Sequence, residues 1–301
     1  MKDKRVWIIV LFLILTGIGF GSQNKENRDV SDSYKNENQT TEQQGTETVR
    51  TVEDIILNFV DVHGTSYQMK VDSRVKANEY KRDTFVHNGT RLSYGGDDYT
   101  YRLGIDVSHY QGEIDWEKVK EDGIEFVIIR IGYRGYGEEG TLKVDTNYEK
   151  NIQGARAAGL DVGVYFFAQA INEKEAVEEA EFVLEHLASY DLQLPIVYDP
   201  ESILHDEART EYVSGEQFTK NTKAFCQTIE DAGYDAMIYC NMLWQAYELD
   251  LKELEEYPVW YADYEAIPQT PYHFEMWQYS QTGTVNGIQG NVDMNIQMIK
   301  K

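Results

Sequence analysis

From Leu103 to the C-terminus, short apolar runs alternate with amphipathic ones, and this alternation limits the fold more than any other feature. The strand-like runs are LGIDVS, EFVIIRI, DVGVYFFA, LPIVYD, AMIYC, YPVWYA and FEMWQYS. Between several of them lie helical patterns. NYEKNIQGARAAG carries Tyr148, Ile152 and Ala155 at helical spacing and stops at Gly159. EKEAVEEAEFVLEHLASY places Ala176, Ala180, Val183, Leu184 and Leu187 on one face, and reads as a solvated outer helix. GEQFTKNTKAFCQTIEDAG has Phe218, Phe225 and Ile229 and stops at Gly233. Continuous apolar strands between helices imply a parallel sheet covered on both faces. About 200 residues with seven or eight such strands predict a single α/β domain, an irregular TIM-barrel-like β/α barrel over residues 101–301. Fewer helical patterns separate the last strands, so the irregularity is expected there.

In such barrels the working face lies at the carboxyl ends of the strands. Reading off the polar residues at those ends gives Asp106 on the first strand and Arg130, followed by Tyr133, on the second. Tyr165 and Phe167 end the third, Asp199 and Glu201 the fourth, and Tyr239 and Asn241 the fifth. Tyr261 and Asp263 end the next, then come Trp277, Gln278 and Tyr279, and GNVDMN supplies Asp293. In LPIVYDPES the two acids are two residues apart, so on an extended chain they share a face. Like charges placed so close oppose each other's ionisation. Carboxylates with pKa values pushed apart can divide the work of acid and anion. Glycoside hydrolysis needs both roles, and aromatic residues suit sugar rings. On this reading Asp199 stays ionised and helps keep Glu201 protonated. Arg130, on a buried strand, needs an anion, and the carboxylate cluster is its expected partner. His109 has no metal-ligand partner at useful spacing and reads as a loop residue.

Charge excludes other classes. Asp and Glu number 52 against 28 Lys and Arg, a formal charge of −24, whereas nucleic-acid binding needs clustered cations. There is no Gly-rich phosphate loop and no Ser–His pair. The two cysteines, Cys226 and Cys240, form either a disulfide or two buried thiols, and they cannot build a structural zinc site alone.

The first hundred residues differ from the rest. Lys2, Lys4 and Arg5 precede the apolar run VWIIVLFLILTGIGFG, the pattern of a secretory signal. The run is short for a membrane span, which needs roughly 20 residues. Residues 1–21 are therefore a cleaved signal peptide or an uncleaved anchor that tethers the chain to a membrane through residues 6–21. Either way the rest works outside the cytoplasm. Residues 22–50 are polar and too poor in apolar groups to fold, a disordered linker. Residues 51–100 read as a small β-hairpin extension, with Asn88–Gly89 as a turn. Fifty residues make a thin core, so this piece is expected to pack against the barrel domain.

GIDVSHYQGEIDWEKVK, FVIIRIGYRGYG, GVYFFA, LPIVYDPE and MWQYSQTGTVNGIQGNVDMN, in this order, resemble glycoside hydrolase family 25, the lysozymes (N-acetylmuramidases) of bacteria and their phages. The resemblance implies an irregular β/α barrel with a long glycan groove. It implies hydrolysis of the β-1,4 bond between N-acetylmuramic acid and N-acetylglucosamine in peptidoglycan, with no cofactor and no metal. The family's catalytic Glu falls on Glu201 as proton donor. Its companion Asp falls on Asp199, which stabilises positive charge or orients the substrate's acetamido group. Asp106 and Asp293 line the cleft and hold the charge state of the pair. Tyr165, Phe167, Tyr239, Tyr261, Asp263, Trp277, Gln278 and Arg130 are the expected substrate contacts, on a monomer. Two residues depart from the family pattern: Pro200 between the acids, and Phe166 where a His is frequent. A glycan-binding barrel without catalysis and a metal-dependent hydrolase using the Asp cluster are the alternatives.

Overall fold

The computed structural model describes residues 54–187, 190–203 and 206–301. The signal or anchor expected over residues 1–21 and the linker over 22–50 lie outside them. Two antiparallel hairpins come first, β1 (Ile56–Val60) with β2 (Ser66–Lys70) and β3 (Phe85–Asn88) with β4 (Arg91–Tyr94). The second hairpin pairs Asn88 with Arg91, so its two-residue loop is Gly89–Thr90, one residue later than the Asn–Gly reading. Gly89 has φ 63°, as the first central position of a type II′ turn requires.

The barrel strands come next: β5 (Tyr99–Val107), β6 (Phe126–Arg134), β8 (Asp161–Ala168), β9 (Ile196–Pro200), β10 (Ala236–Asn241), β11 (Val259–Ala262), β12 (Met276–Gly283) and β13 (Val292–Lys300). The order β5-β13-β12-β11-β10-β9-β8-β6 closes through β5–β6 pairing, and the short β7 (Leu142–Val144) adds to the edge of β6. Seven of the eight are mutually parallel, and β13 runs antiparallel between β12 and β5. Helices α1 (Trp116–Glu121), α2 (Tyr148–Ala157), α3 (Glu173–Leu187) and α4 (Gly215–Asp231) fill the first four crossovers. A single π turn, Trp244–Glu248, stands in the fifth. Among the described residues no helix separates β11 from β12 or β12 from β13. That is the irregularity expected from the sequence.

Alternation along the strands sorts side chains into two layers. Phe126, Ile128, Val197, Met237, Tyr239, Trp260, Ala262 and Met276 fill the barrel interior. Gly104 makes room for the Phe126 ring, which a Cβ there would strike. The outward residues of β11 and β12, which lack helices, are covered instead by the N-terminal extension. Tyr80 packs on Phe274 with ring centroids 4.8 Å apart, and Phe85 meets Trp277 edge-on at 5.3 Å. Gln269 exchanges two 2.9 Å hydrogen bonds with the backbone of Val60. Residues 54–98 thus do for the last strands what helices do for the first. One outer helix departs from its sequence reading. Glu179 of α3 is fully buried rather than solvated, because Arg134 reaches it at 2.8 Å. Cys226 and Cys240 are buried free thiols.

Candidate active site

Strand β9 carries Val197 into the barrel interior, so Asp199 and Glu201 come next on the same face. Pro200 is accommodated because the ladder toward β8 runs through Ala168–Pro200, whereas that toward β10 stops at Tyr198. Asp199 is buried and Glu201 half-buried. Asp106, near the end of β5, is paired in register with Asp293 of β13. Four carboxyls from three strands therefore meet at one mouth of the barrel.

Their hydrogen bonds differ. Asp106 Oδ2 accepts from Gln278 Nε2 at 2.9 Å and from Asn295 Nδ2 at 2.8 Å. Asp293 shares a side-chain hydrogen bond with Asp106. Asp199 Oδ1 is buried and has no hydrogen-bond partner among the described residues. Burial raises all four pKa values because it disfavours the charged form. Asp106 is restrained to about 6 by its amide donors. Glu201 is pushed up to about 7 by burial, opposed by the Tyr239 hydroxyl and reinforced by the Asp106 charge. Asp199 is raised well above the usual range by burial, then by Glu201 and Asp106, and only the Arg130 charge acts the other way. Asp293 is raised similarly, by burial and by facing Asp106. Without a substrate in place, Asp106 is the carboxyl with the donors an anion needs, Asp293 is placed to share a proton with it, and Asp199 has no such donor among the described residues.

Neutral donors and aromatic rings surround this group. Gln278 Oε1 accepts from the Tyr239 hydroxyl at 3.0 Å and from Tyr264 at 2.9 Å. These two bonds orient the amide so that its N–H faces Asp106. Asn295 is fixed likewise, since its Oδ1 accepts from Trp260 Nε1 at 2.8 Å. The Trp260 ring meets Tyr239 at 4.9 Å and Tyr165 at 6.1 Å, both edge-on. Tyr165 and Phe167 are half-buried on the inward side of β8.

Several expected contacts lie elsewhere. Arg130 does not pair with the carboxylate cluster. Its Nε and Nη2 bind Asp145 Oδ2 at 2.9 and 2.8 Å, and Nη2 also donates to His109 Nδ1 at 2.6 Å. Tyr110 and Tyr133 stack against its guanidinium, 5.2 and 5.4 Å away. Tyr261 and Trp277 are fully buried in the outer layer, on the wrong face for a glycan. Tyr261 donates to Asp263 Oδ2 at 2.7 Å. Asp263 also accepts from the backbone N–H of Gln269 at 2.9 Å, so it organises its own loop. Phe166 points outward onto Phe182, with ring centroids 5.8 Å apart, so the missing His leaves no gap in the cleft. Tyr264, Asn295, Trp260 and Asp145 were not singled out from the sequence. Asn295 lies inside the quoted GNVDMN string, two residues from Asp293 and hence on its face. Among the described residues no three His, Cys, Asp or Glu side chains converge as metal ligands.

Known proteins share this arrangement of strands. Residues 105–288 match the glycosyl hydrolases family 25. An autolytic lysozyme of Clostridium acetobutylicum is 28% identical over 193 residues, which are 64% of this chain and 54% of that protein. Lysozyme M1 of Streptomyces globisporus is 30% identical over 216 residues, covering 64% of this chain and 66% of the relative. The chain thus spans between about half and two thirds of these curated relatives. The modular autolysin LytC of Streptococcus pneumoniae superposes with a TM-score of 0.59 at 25% identity, over 79% of this chain and 56% of that one. It has also been solved with a synthetic peptidoglycan ligand. The bacterial lysozyme of Streptomyces coelicolor superposes with a TM-score of 0.53 at 27% identity, over 64% of this chain and 90% of its own. With its barrel, the carboxyls at the barrel mouth and a family match covering more than half its length, this chain belongs to glycosyl hydrolases family 25.

Proposed function

We propose that the protein is an exported N-acetylmuramidase, cleaving the β-1,4 bond between N-acetylmuramic acid and N-acetylglucosamine in peptidoglycan. The observation that carries this reading is Glu201, a half-buried carboxyl pushed up to about 7, beside Asp199, whose buried Oδ1 meets no donor among the described residues. A carboxylic acid that keeps its proton near neutrality is a competent general acid. Glu201 gives its proton to the glycosidic oxygen as the C1–O bond breaks, and positive charge develops at C1 and the ring oxygen. Asp199 Oδ1 is free to accept the N–H of the substrate's acetamido group, and that bond favours its ionised form. So held, the acetamido oxygen or the Asp199 charge supports C1. Water then adds at C1, and the Glu201 carboxylate takes up its proton. The Asp106 charge, with burial, keeps Glu201 protonated, Asp293 shares a hydrogen bond with Asp106, and Gln278 and Asn295 hold Asp106 in place. Tyr165, Phe167 and Tyr239 are the side chains suited to sugar contact. The relatives named as lysozymes and the autolysin solved with a peptidoglycan ligand support the substrate class. The basic and apolar N-terminal segment supports export.

The test is turbidity loss and release of reducing ends from purified peptidoglycan, with and without EDTA. Cleavage that EDTA leaves unchanged and Glu201→Gln reduces about a hundredfold or more supports the proposal. Inhibition by EDTA points to the metal-dependent alternative. Binding to walls without any cleavage points to a glycan-binding barrel.

A further inference from the structure

The carbonyl of Glu201 lies just past the end of β9, where the ladder no longer supplies a donor. Gln169, the first residue after β8, supplies one. Its Nε2 donates to Glu201 O at 2.8 Å. The other polar groups of Gln169 are also occupied. Oε1 accepts from the Thr210 hydroxyl at 2.9 Å, and the backbone N–H donates to Glu179 Oε1 at 3.1 Å. The backbone carbonyl accepts from Arg209 Nη1 at 3.2 Å, and Arg209 is itself held by a two-point pair with Glu175 at 2.7 and 2.8 Å. Gln169 is 1% exposed and Thr210 6%, so water does not replace these bonds. Thr210 also fixes the amide orientation. Glu201 O accepts only, so the NH2 must face it, and the hydroxyl proton must then point at Oε1.

We propose that Gln169 is a positioning residue for the proton donor: it fixes the main chain of Glu201, and Thr210 and Arg209 hold it in the orientation to do so. The proposal rests on the muramidase reading of Glu201. It predicts that loosening this amide costs turnover while leaving glycan binding in place, because misplacing a reacting group by about 1 Å costs on the order of a hundredfold. A Glu201 released toward water also loses part of the burial that keeps it protonated.

The experiment measures kcat and KM on soluble peptidoglycan fragments, the pH profile of kcat, and thermal unfolding. The full-length protein is compared with Glu201→Gln, Gln169→Leu, Thr210→Val and Thr210→Ser. An active parent and a dead Glu201→Gln test the underlying reading by themselves. If either fails, that reading falls, whatever the Gln169 variants do. Given both, Gln169→Leu is expected to lose kcat about 10- to 100-fold with KM within about twofold, and its alkaline limb moves to lower pH. Thr210→Val is expected to lose about three- to tenfold, and Thr210→Ser to recover most of that. If Gln169→Leu does not fold, the Thr210 pair carries the test. Unchanged kcat in folded variants, an unmoved alkaline limb, or a Thr210→Ser no better than Thr210→Val overturns the proposal.

Discussion

Asp145 and Asp199 are almost equally buried, 1% and 6% exposed, yet their environments push them in opposite directions. Burial alone raises both. Around Asp145 it is outweighed: Oδ1 accepts from the Asn147 N–H at 3.0 Å, Oδ2 from the His109 N–H at 3.0 Å, and Arg130 adds its charge. Asp145 therefore sits below the usual carboxylate range. Asp199 has an oxygen with no partner among the described residues and two acidic neighbours, and rises. Burial is thus common to both carboxyls, and the supply of donors separates them. Arg130 spends its hydrogen bonds on Asp145 and reaches Asp199 only through its charge, which does not offset burial there.

Glu201→Gln tests the centre most severely. If a protonated Glu201 does the work, the variant loses about 10²–10⁴ in kcat and still pellets with peptidoglycan. The same comparison predicts opposite stability effects for the two aspartates. Asp145→Ala strands Arg130 in a buried position and is expected to cost about 3–5 kcal/mol in urea unfolding. Asp199→Asn removes a carboxyl that burial disfavours, so it is expected to keep or raise Tm while lowering activity. A destabilised Asp199→Asn would mean that Asp199 has a donor in the folded protein after all.

The pH dependence of stability is a smaller effect. Between the ordinary Glu value of 4.5 and about 7, the native state keeps a proton on Glu201 that the unfolded chain has released. Stability is then greatest at the acid side of this window and falls as pH rises through it. Glu179, also raised to about 7 by burial despite Arg134, adds to the same slope. Tm at pH 5 should exceed Tm at pH 7.5 by a few kelvin, roughly 2–4 °C per kcal/mol for a domain of this size. Asp199→Asn should shrink the difference, whereas a Tm that climbs across this window would contradict burial as the dominant influence on these carboxyls.

The strand and helix order was legible because apolar runs and helical spacing are local. The four carboxyls were legible because acids at strand ends recur on one face. What failed was the assignment of faces. Trp277 and Gln278 are neighbours on one strand and cannot both look inward. The structure turns Gln278 in and Trp277 out, and on β11 turns Trp260 in and Tyr261 out. An aromatic followed by polar residues looked like a cleft residue. Part of its true cover, Phe85 of the extension, lies almost two hundred residues earlier in the chain. Arg130 was misread for a similar reason. Its partner Asp145 lies just past the edge strand β7 and becomes a neighbour only through the β6–β7 pairing.

Tyr264, which the sequence reading passed over, gives the mildest test of the idea that neutral donors replace a cation at the centre. Its hydroxyl and that of Tyr239 share Gln278 Oε1, and that sharing keeps the amide N–H on Asp106. Removing one hydroxyl leaves the oxygen satisfied, so Tyr264→Phe is expected to lose only about 0.5–1.5 kcal/mol of stability and a few-fold in kcat. Tyr239→Phe should lose somewhat more activity, because that hydroxyl also faces Glu201. The double variant frees the amide to turn its oxygen toward Asp106, and its loss should exceed the sum of the singles, as expected for groups that share a partner. A purely additive double variant would mean that packing holds Gln278, and that Asp106 depends on Asn295 for its charge.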